Sequence, residues 1–377
     1  MTEQFEITVQ RSALLHELTA AQGVVERKTT IPILSNFLFE AEGDRLTVTA
    51  TNLDQSIRTS CEAKVKKPGC CTVPALKLYD LVKLLPEGEI SFKQLDNYWV
   101  QIRAGRSHSK MVGMARANFP QVQDLPAADA IRIPAQLLAQ LVAKTIYAVS
   151  EEESRYTLNG ALLLVKPESL TMVATDGHRL AHVERFTETL GVSGERRTMI
   201  PMSALGDLRA LLNDCSAEDT VLFAQTEETL FFAVAGRTLT SRKLTGQFPN
   251  YEAVLPRDNN KFVIVRSEDL MGALQRVTKF SDGCNGAIKM SLASNELRLA
   301  SSSPDLGESE DVIETPYIYE PLKFGFQSRY VSEFIKSIAG VGEVRMTFKD
   351  GQSAAELRPE DGRDDQRHRY LLMPMRI

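Results

Sequence analysis

A threefold internal repeat constrains the fold of this 377-residue chain more than any other feature of its sequence. The stretches NFLFEAEGDRLTVTATN from Asn36, NGALLLVKPESLTMVATDG from Asn159 and NGAIKMSLASNELRLASSS from Asn285 share one pattern. Each combines an apolar run, a turn and a second, alternating run that ends in small polar residues, which predicts a β-hairpin. The hairpins start about 125 residues apart, too long a period for a solenoid unit. Each copy is therefore predicted to be a whole domain of the α+β class.

A helix is predicted on either side of each hairpin. Upstream, three apolar residues at i, i+1 and i+4 form one helical face in every copy: Leu14, Leu15 and Leu18, then Leu137, Leu138 and Leu141, then Leu270, Met271 and Leu274. Downstream, the segments PALKLYDLVKLLPEG, PMSALGDLRALLNDC and QSRYVSEFIKSIAGVG carry a similar apolar stripe, with Leu81, Leu208 and Phe334 at matching points. Strand pairs with turn signals follow each second helix. One copy thus contains two helices and several strands.

The repeat predicts three tandem domains, which we place at residues 1–125, 126–255 and 256–377. The linkers are expected near residues 121–131 and 250–262, where QVQDLPAADA and NYEAVLPRDNNK concentrate proline and polar residues. The first two copies also share the sequence AGR, followed by Phe119-Pro120 in one and Phe248-Pro249 in the other.

Composition excludes several classes of protein. The formal charge is −5, from 44 basic and 49 acidic residues, which argues against a protein that grips nucleic acid over its whole surface. No apolar run approaches the roughly 18 residues that span a bilayer, and the N-terminus has no secretion signal, so we expect a cytoplasmic protein. The five cysteines are scattered and odd in number, which argues against a disulfide framework.

The stretch MVATDGHRLAHVERF, Met172 to Phe186, is the most chemically suggestive part of the sequence. Asp176-Gly177 is a hairpin turn signal, and the counterparts in the other copies, ATNLD and SSSPD, share only the turn. His178 and His182 would suit a metal only on a helix with a third ligand nearby, and RLAHV alternates like a strand.

An enzymatic alternative remains: a metal-independent hydrolase using Asp176 and His178, with Ser150 or Ser154 as nucleophile. The sequence has no G-x-S-x-G, no phosphate-binding G-x-x-x-x-G-K and no G-x-G-x-x-G. We therefore expect no enzyme, no catalytic residue, no metal and no cofactor.

Four motifs in order, YTLNG, ATDGHRLA, FPNYEAVLP and the terminal YLLMPMRI, resemble the family of bacterial replicative sliding clamps, the β subunits of DNA polymerase III. The resemblance spans nearly the whole chain. It implies a head-to-tail homodimer in which two three-domain chains close a six-domain ring around double-stranded DNA. Helices would line the hole, and sheets would continue around the outside. Such a clamp is a processivity factor that tethers the replicative DNA polymerase, the clamp loader and other replication and repair proteins.

The resemblance also implies a hydrophobic cleft between the second and third domains that binds short partner peptides. Carried over by motif, the cleft residues are Leu158, Thr175, Gly177, Arg179, Leu180, Pro249, Val254, Tyr330, Met373, Pro374, Met375 and Arg376. Methionines adapt to varied apolar partners, and an arginine orients a peptide's polar groups, so these residue types suit such a cleft.

A local basic surface would reconcile DNA binding with the acidic net charge, because a ring that encloses DNA needs no tight grip. The residues expected to face DNA are Arg27, Lys28, Lys77, Lys83, Lys144, Arg155, Tyr156, Arg209, Arg276, Lys279, Arg329 and Lys336. Most of them belong to the predicted helices, whereas Arg27 and Lys28 fall in a loop where the family places a DNA-contacting arginine. Thr157 stands where the family often has a second aromatic residue, which removes one stacking group.

Overall fold

The computed structural model describes residues 5–126, 130–152, 154–187, 191–192, 194–281 and 286–375. Within them, one order of elements occurs three times: strand, helix, four strands, helix, three strands. The first copy contains β1 (Glu6–Gln10), α1 (Arg11–Ala21), β2 (Asn36–Glu42), β3 (Arg45–Thr51), β4 (Gln55–Lys67), β5 (Gly69–Pro74), α2 (Ala75–Leu84), β6 (Glu89–Gln94), β7 (Trp99–Ala104) and β8 (Ser107–Val112).

The second and third copies repeat this order element by element. The second contains β9 (Ile131–Pro134), α3 (Ala135–Thr145), β10 (Gly160–Lys166), β11 (Ser169–Thr175), β12 (Arg179–Phe186), β13 (Arg196–Pro201), α4 (Met202–Asn213), β14 (Thr220–Gln225), β15 (Thr229–Val234) and β16 (Arg237–Arg242). The third contains β17 (Lys261–Arg266), α5 (Ser267–Val277), β18 (Ala287–Ala293), β19 (Glu296–Ser303), β20 (Gly307–Glu314), β21 (Leu322–Gln327), α6 (Ser328–Ser337), β22 (Glu343–Phe348), β23 (Ala355–Pro359) and β24 (Gln366–Leu372). The predicted α+β class, with two helices per copy, is confirmed.

The helices form where apolar residues recur along one face. Leu14 and Leu18 of α1 and Leu270 and Leu274 of α5 are fully buried, as the i, i+4 spacing predicts. Helix α5 also has Glu268 and Asp269 in its first turn and a basic residue in its last turn, which complements the helix dipole. Lys279 was expected on this helix, but it follows the C-terminus of α5 in a short 3₁₀ turn, Thr278–Phe280.

The chain forms two compact units, and the first unit comprises Met1–Ala139 and Ser203–Lys243. Its strands form one 12-stranded sheet, in which the path β8-β7-β6-β1-β4-β16-β15-β14-β9 carries β2, β3 and β5 as a branch. Strand β4 of the first copy pairs with β16 of the second, with Gln55 opposite Ser241 and Arg58 opposite Thr238. A buried ion pair also joins the two copies, since Arg237 Nε lies 2.9 Å from Glu17 Oε2 on α1. The sheet therefore continues from one sequence repeat into the next.

The second unit comprises Gln140–Met202 and Leu244–Ile377. It contains an eight-stranded sheet, β13-β10-β11-β12-β24-β23-β22-β17, and a four-stranded sheet, β20-β19-β18-β21. Strand β12 of the second copy pairs with β24 of the third from Arg179 opposite Leu372 to Arg185 opposite Gln366. Because strands pair across the repeat boundary here as well, the compact units follow the sheets, whereas the boundaries at 125 and 255 remain predictions from the repeat.

RLAHV is part of a strand, as expected, and Arg179 to Val183 are all buried. One expectation from the sequence needs correction. The expected second linker is partly structured. Its Tyr251 is 6% exposed and packs in a hydrophobic cluster, and Lys261 already belongs to β17. No helix in the described part of the chain is long and apolar enough to cross a membrane.

Candidate functional site

The ATDGH stretch forms the tip of the hairpin between β11 and β12, and we call Thr175–Arg179 the second tip. Its turn is fixed by side chains that bond to the backbone. Thr175 Oγ1 donates to Arg179 O (2.6 Å) and accepts from Gly177 N (3.1 Å). Asp176 Oδ1 accepts from the backbone N–H groups of His178 (2.9 Å) and Arg179 (3.0 Å), an Asx turn. Gly177 has φ +88°, which glycine adopts without steric cost.

Arg179 is the most heavily engaged side chain of the second tip. Its side chain is 3% exposed, and Nε lies 2.9 Å from Asp176 Oδ2. The guanidinium also donates to Glu333 on α6 and to the carbonyl oxygen of Tyr147. Its Cζ lies 4.2 Å from the centre of the Tyr330 ring, close enough for a cation–π contact. The hairpin is therefore anchored to α6 through a buried, paired charge.

Two tyrosines beside Arg179 are kept neutral by burial. Burial raises the pKa of the Tyr330 hydroxyl above its ordinary value, so this phenol is neutral at physiological pH. Burial likewise raises the pKa of Tyr147. One arginine, two carboxylates and two neutral aromatic rings thus form one interacting group beside the tip.

Leu180, the next residue, points to the opposite face of the sheet, where it joins an apolar cluster. Leu180 is 4% exposed and packs with Leu162, Leu164, Val173, Met199, Tyr251 and Leu371. Leu244, Phe248 and Leu255 pack against this cluster from the segment that follows β16. The FPNYEAVLP motif therefore contacts the Leu180 cluster. The residues that make the contact are Phe248, Tyr251 and Leu255, and not the expected Pro249 and Val254. Pro249 and Val254 themselves are exposed, Val254 by 43%.

The C-terminal segment also reaches the second tip. Met373 N donates to His178 O at 2.9 Å, and Met375 N donates to Gly325 O at 2.8 Å. The Met373 side chain is 37% exposed, whereas Pro374 and Met375 are partly buried. Arg376 lies outside the described residues. The structure therefore brings an exposed methionine next to the hairpin tip, as the predicted cleft requires.

Leu158 lies in a 3₁₀ turn, Tyr156–Leu158, that is held to the second tip by Arg155. Arg155 Nη1 donates to Asp176 O at 2.6 Å. A Cβ atom on Gly177 would approach this nitrogen to 2.8 Å, so glycine also permits the close contact. Arg155 was expected to face DNA, and in this structure it holds the second tip through the Asp176 carbonyl.

The other residues expected at the DNA surface differ in how they are held. Lys144 is partly buried, donates to Gln366 Oε1 (3.1 Å) and has its pKa lowered by burial. Arg276 pairs with Asp311, and Arg329 with Glu333 (2.8 Å) and Glu151 (3.4 Å). Lys83 lies over the Tyr79 ring, and Tyr156 is 51% exposed. The remainder are exposed and form no salt bridge within the described residues: Arg27, Lys28, Lys77, Arg209, Lys279 and Lys336.

The geometry gives no support to hydrolysis by Asp176 and His178. The Asp176 carboxylate already accepts three hydrogen bonds, from two backbone N–H groups and Arg179, and His178 contacts it through the backbone and is exposed. Burial lowers the pKa of His182 to about 4, and its ring packs against Tyr251. Among the described residues, no group of three or more His, Cys, Asp or Glu side chains could hold a metal ion.

Sequence reasoning missed several parts of this site. Glu333 pairs with Arg179 across 154 residues, and Tyr147 contacts Arg179 from the 3₁₀ turn, Ile146–Ala148, that follows α3. The Arg329–Glu333 pair at i, i+4 was the one local signal that could have drawn attention to Glu333.

Comparisons with known proteins cover the whole chain. Models of the DNA polymerase III beta subunit family match it in order: the N-terminal domain at residues 5–123, the central domain at 132–250 and the C-terminal domain at 252–376. The beta sliding clamp of Caulobacter vibrioides is 34% identical over 99% of this chain and 100% of that protein.

Solved structures agree with this match. A C. crescentus beta sliding clamp superposes with a TM-score of 0.93, at 33% identity and 100% coverage of both chains. A Pseudomonas aeruginosa clamp bound to griselimycin gives a TM-score of 0.91, at 31% identity over 99% of this chain and 100% of that one.

The threefold order of helices and strands thus defines a protein of three tandem clamp domains. The chain belongs to the DNA polymerase III beta subunit family, the bacterial beta sliding clamps. It is a DNA sliding clamp, a processivity factor that acts with DNA and the replicative polymerase.

Proposed function

We propose that the second tip, the Leu180 cluster and the C-terminal segment form the cleft through which this clamp tethers its partners. The observation that carries the proposal is their convergence: the buried Arg179, the apolar Leu180 and the exposed Met373 come from two sequence repeats and meet at one hairpin tip. An extended peptide would place its apolar side chains against Leu180 and Met373 and its polar groups near the arginines of the cleft, Arg179 and Arg376. Pro249, Val254 and Arg376 are proposed to complete the cleft.

Removal of the last five residues should test the cleft directly. A short peptide depends on a few buried apolar anchors, and losing one anchor commonly costs about 2 kcal/mol, more than a tenfold loss of affinity. We expect the truncated chain and Leu180→Asp each to lose binding of a labelled peptide from the polymerase, measured by fluorescence anisotropy. The truncated chain should keep its native sedimentation coefficient. Undiminished binding in both variants would place the cleft elsewhere.

The pattern of strand pairing supports a head-to-tail homodimer. The fourth strand of the first copy, β4, pairs with the last strand of the second, β16, and β12 pairs with β24 in the same way. The next pair in this series would join β20, the fourth strand of the third copy, to β8, the last strand of the first. Each lies at the end of its sheet within the described structure, so each exposes backbone groups that a second chain can pair.

Charge favours the same pairing between two chains. Strand β20, GESEDVIE, carries four carboxylates, whereas β8, SHSKMV, carries His108 and Lys110 and follows Arg106. Opposite charges across a strand pair stabilise it, whereas two β20 strands would repel each other. Two such contacts would close a six-domain ring from two chains.

A ring makes a testable claim about retention on DNA. Loaded protein should remain on nicked circular DNA and leave after linearisation, because enclosure and not phosphate contact retains it. Lys110→Glu is expected to shift the protein from dimer to monomer in sedimentation and to abolish this retention. Equal retention on circular and linear DNA would contradict enclosure.

Duplex DNA would contact the exposed basic residues, above all Arg27, Lys28, Arg209 and Lys336, whose charges are not neutralised by described carboxylates. The partners proposed beyond the polymerase are the clamp loader and repair proteins that carry similar peptides. The protein is proposed to have no enzymatic activity of its own, no cofactor and a cytoplasmic location.

A further inference from the structure

The first copy contains a hairpin tip with the same hydrogen bonds as the second tip. In this first tip, Thr51–Gln55, Thr51 Oγ1 donates to Gln55 O (2.8 Å) and accepts from Leu53 N (3.1 Å). Asn52 Oδ1 accepts from the backbone N–H groups of Asp54 (3.1 Å) and Gln55 (2.7 Å). The strand that pairs beside it also repeats a contact, because Arg242 N donates to Asp54 O (2.8 Å) as Met373 N does to His178 O.

The lining of the first tip differs chemically. By this equivalence, Gln55 replaces Arg179, Ser56 replaces Leu180 and Arg242 replaces Met373. A groove of about 240 Å³ lies at the first tip and is rich in hydroxyl and amide side chains. Its lining includes Thr51, Gln55, Ser56, Gln121, Thr229 and Ser241. Leu53, Pro120 and Val122 also line the groove, but Ser56 and Arg242 stand at the positions that Leu180 and Met373 hold in the proposed cleft.

Two features of this groove point to a ligand that donates hydrogen bonds. Gln55 lines the groove and is 6% exposed, and its Oε1 accepts no hydrogen bond from any described residue. A buried acceptor without a donor is unfavourable, so a ligand that supplies a donor at this position is stabilised. Glu228 and Asp54, both exposed carboxylates, also line the groove. Glu228 forms no salt bridge in the described structure.

Leu53 marks the tip as strained as well as exposed. Its φ is +78°, a left-handed conformation that is unfavourable for a leucine, and its side chain is 48% exposed. The second tip has glycine at this position. Backbone strain of this kind is found at ligand-binding sites, and the exposed Leu53 side chain is accessible to a partner.

We propose that the first groove is a second docking site, and that it binds an arginine side chain presented by a protein partner. A guanidinium carries five N–H donors and can bond Gln55 Oε1 and a carboxylate together. The terminal amide of glutamine rotates over a broad range, so Oε1 can turn toward the groove when a donor arrives. The Leu53 side chain covers the aliphatic part of the arginine.

Arg242 is the one cation among the described residues that line the groove, and it competes only weakly with an incoming arginine. It lies 3.4 Å from Asp54, and both side chains are about 70% exposed, so their attraction is screened by water. Glu228 remains available to the incoming guanidinium. The first groove shares no residue with the proposed cleft, so an arginine would still bind the groove if partner peptides bound elsewhere.

Methyl NMR on the full-length protein, labelled with ¹³C at leucine methyl groups, tests the proposal. The probe is a capped peptide with one arginine flanked by alanines, and its control is the same peptide with citrulline, which has the shape of arginine but no charge. The arginine peptide should shift the Leu53 methyl signals saturably while the Leu180 signals remain in place. Equal shifts with the citrulline peptide, or shifts away from Leu53 only, would overturn the proposal.

Substitutions separate the groove from general attraction to an acidic protein. Gln55→Leu should weaken binding of the arginine peptide about tenfold, because it removes the acceptor. Glu228→Gln should weaken it several-fold, whereas Glu227→Gln removes the same charge outside the groove lining and should leave it unchanged. Equal effects of the two glutamate variants would show non-specific attraction. This pair of surface variants remains decisive if Gln55→Leu perturbs folding.

Discussion

The two hairpin tips show how one backbone frame carries two different surfaces. Both use a threonine and an Asx residue to fix the turn, with the same five side chain-to-backbone and backbone-to-backbone contacts. At the second tip, Arg179 is buried among two carboxylates and two tyrosines, and Leu180 joins an apolar cluster. At the first tip, Gln55 and Ser56 hold the same positions, and the groove is polar.

In both tips, the backbone conformation of the turn and the chemistry of the surface beside it are determined by separate residues. The polar residues of the turn bond to the backbone two or three positions away, so any copy that keeps them keeps the hairpin. The two residues that follow decide whether the surface attracts apolar or hydrogen-bonding ligands. Repeat equivalence therefore predicts geometry, but it does not by itself predict a common ligand.

Stability should change most when Arg179 of the second tip is replaced by glutamine, the residue that the first tip has at this position. Arg179→Gln would remove the cation of Asp176 and leave Glu333 with only the exposed Arg329, and breaking a buried ion pair commonly costs about 3–5 kcal/mol. We expect this loss in the free energy of unfolding of the second unit, measured by hydrogen exchange of β12 amides. Binding of a polymerase peptide should weaken as well.

Two control variants sharpen this prediction. Arg329→Gln removes the exposed partner of the same Glu333 and should cost less than 1 kcal/mol, because solvent screens that pair. Gln55→Ala at the first tip should also cost about 1 kcal/mol or less, since no carboxylate depends on it. A cost equal to that of Arg179→Gln would show that the two tips are held in the same way.

The next prediction is that acid changes the stability of the two units in different ways. Burial and then Arg369 lower the pKa of His182 to about 4, and burial, Lys144 and His182 lower that of His368 to about 3. Because the folded pKa lies below the ordinary 6.5, the unfolded chain binds protons that the folded chain rejects. Stability of the second unit should therefore fall as pH decreases below about 6.5, by about 3 kcal/mol at pH 4 for His182 alone.

The first unit should respond in the opposite sense over part of this range. Burial raises the pKa of Asp207 to about 6, so the folded chain takes up this proton first, and stability rises as pH falls from about 6 toward 4. Trp99 on β7, the one tryptophan of the chain, reports on the first unit by fluorescence. Hydrogen exchange of β12 reports on the second. Parallel acid sensitivity of both probes, or an unchanged profile in His182→Gln, would contradict the assignment.

Local patterns predicted the fold well because helices and hairpins arise from short-range periodicity. The Leu14-Leu15-Leu18 spacing and its two repeats placed α1, α3 and α5, and the Asp176-Gly177 signal placed the second tip. The pairing of β4 with β16 and of β12 with β24 could not be predicted from such patterns, because it joins strands of different copies.

The candidate site was predicted mainly through the family resemblance. Its motifs named Arg179 and Leu180, but no local pattern indicated that Arg179 would be buried against Glu333 and Tyr147, since these contacts depend on tertiary packing. The orphan acceptor of Gln55 was equally invisible, because a glutamine in a turn is ordinarily solvated.

The smallest expected effect concerns the left-handed residue of each tip. Leu53→Gly should raise the free energy of unfolding of the first unit by up to about 1 kcal/mol, because glycine relieves the strain at φ +78° although it adds freedom to the unfolded chain. Urea unfolding followed by Trp99 fluorescence measures the change. Gly177→Ala is the matched substitution at the second tip. It should be destabilising, because an alanine there would have to adopt φ +88° and its Cβ would approach Arg155 Nη1 to 2.8 Å. If Leu53→Gly destabilised the first unit by as much as Gly177→Ala destabilises the second, the Leu53 side chain would have a packing role that outweighs its backbone strain, and the proposed exposure of Leu53 to a partner would lose its support.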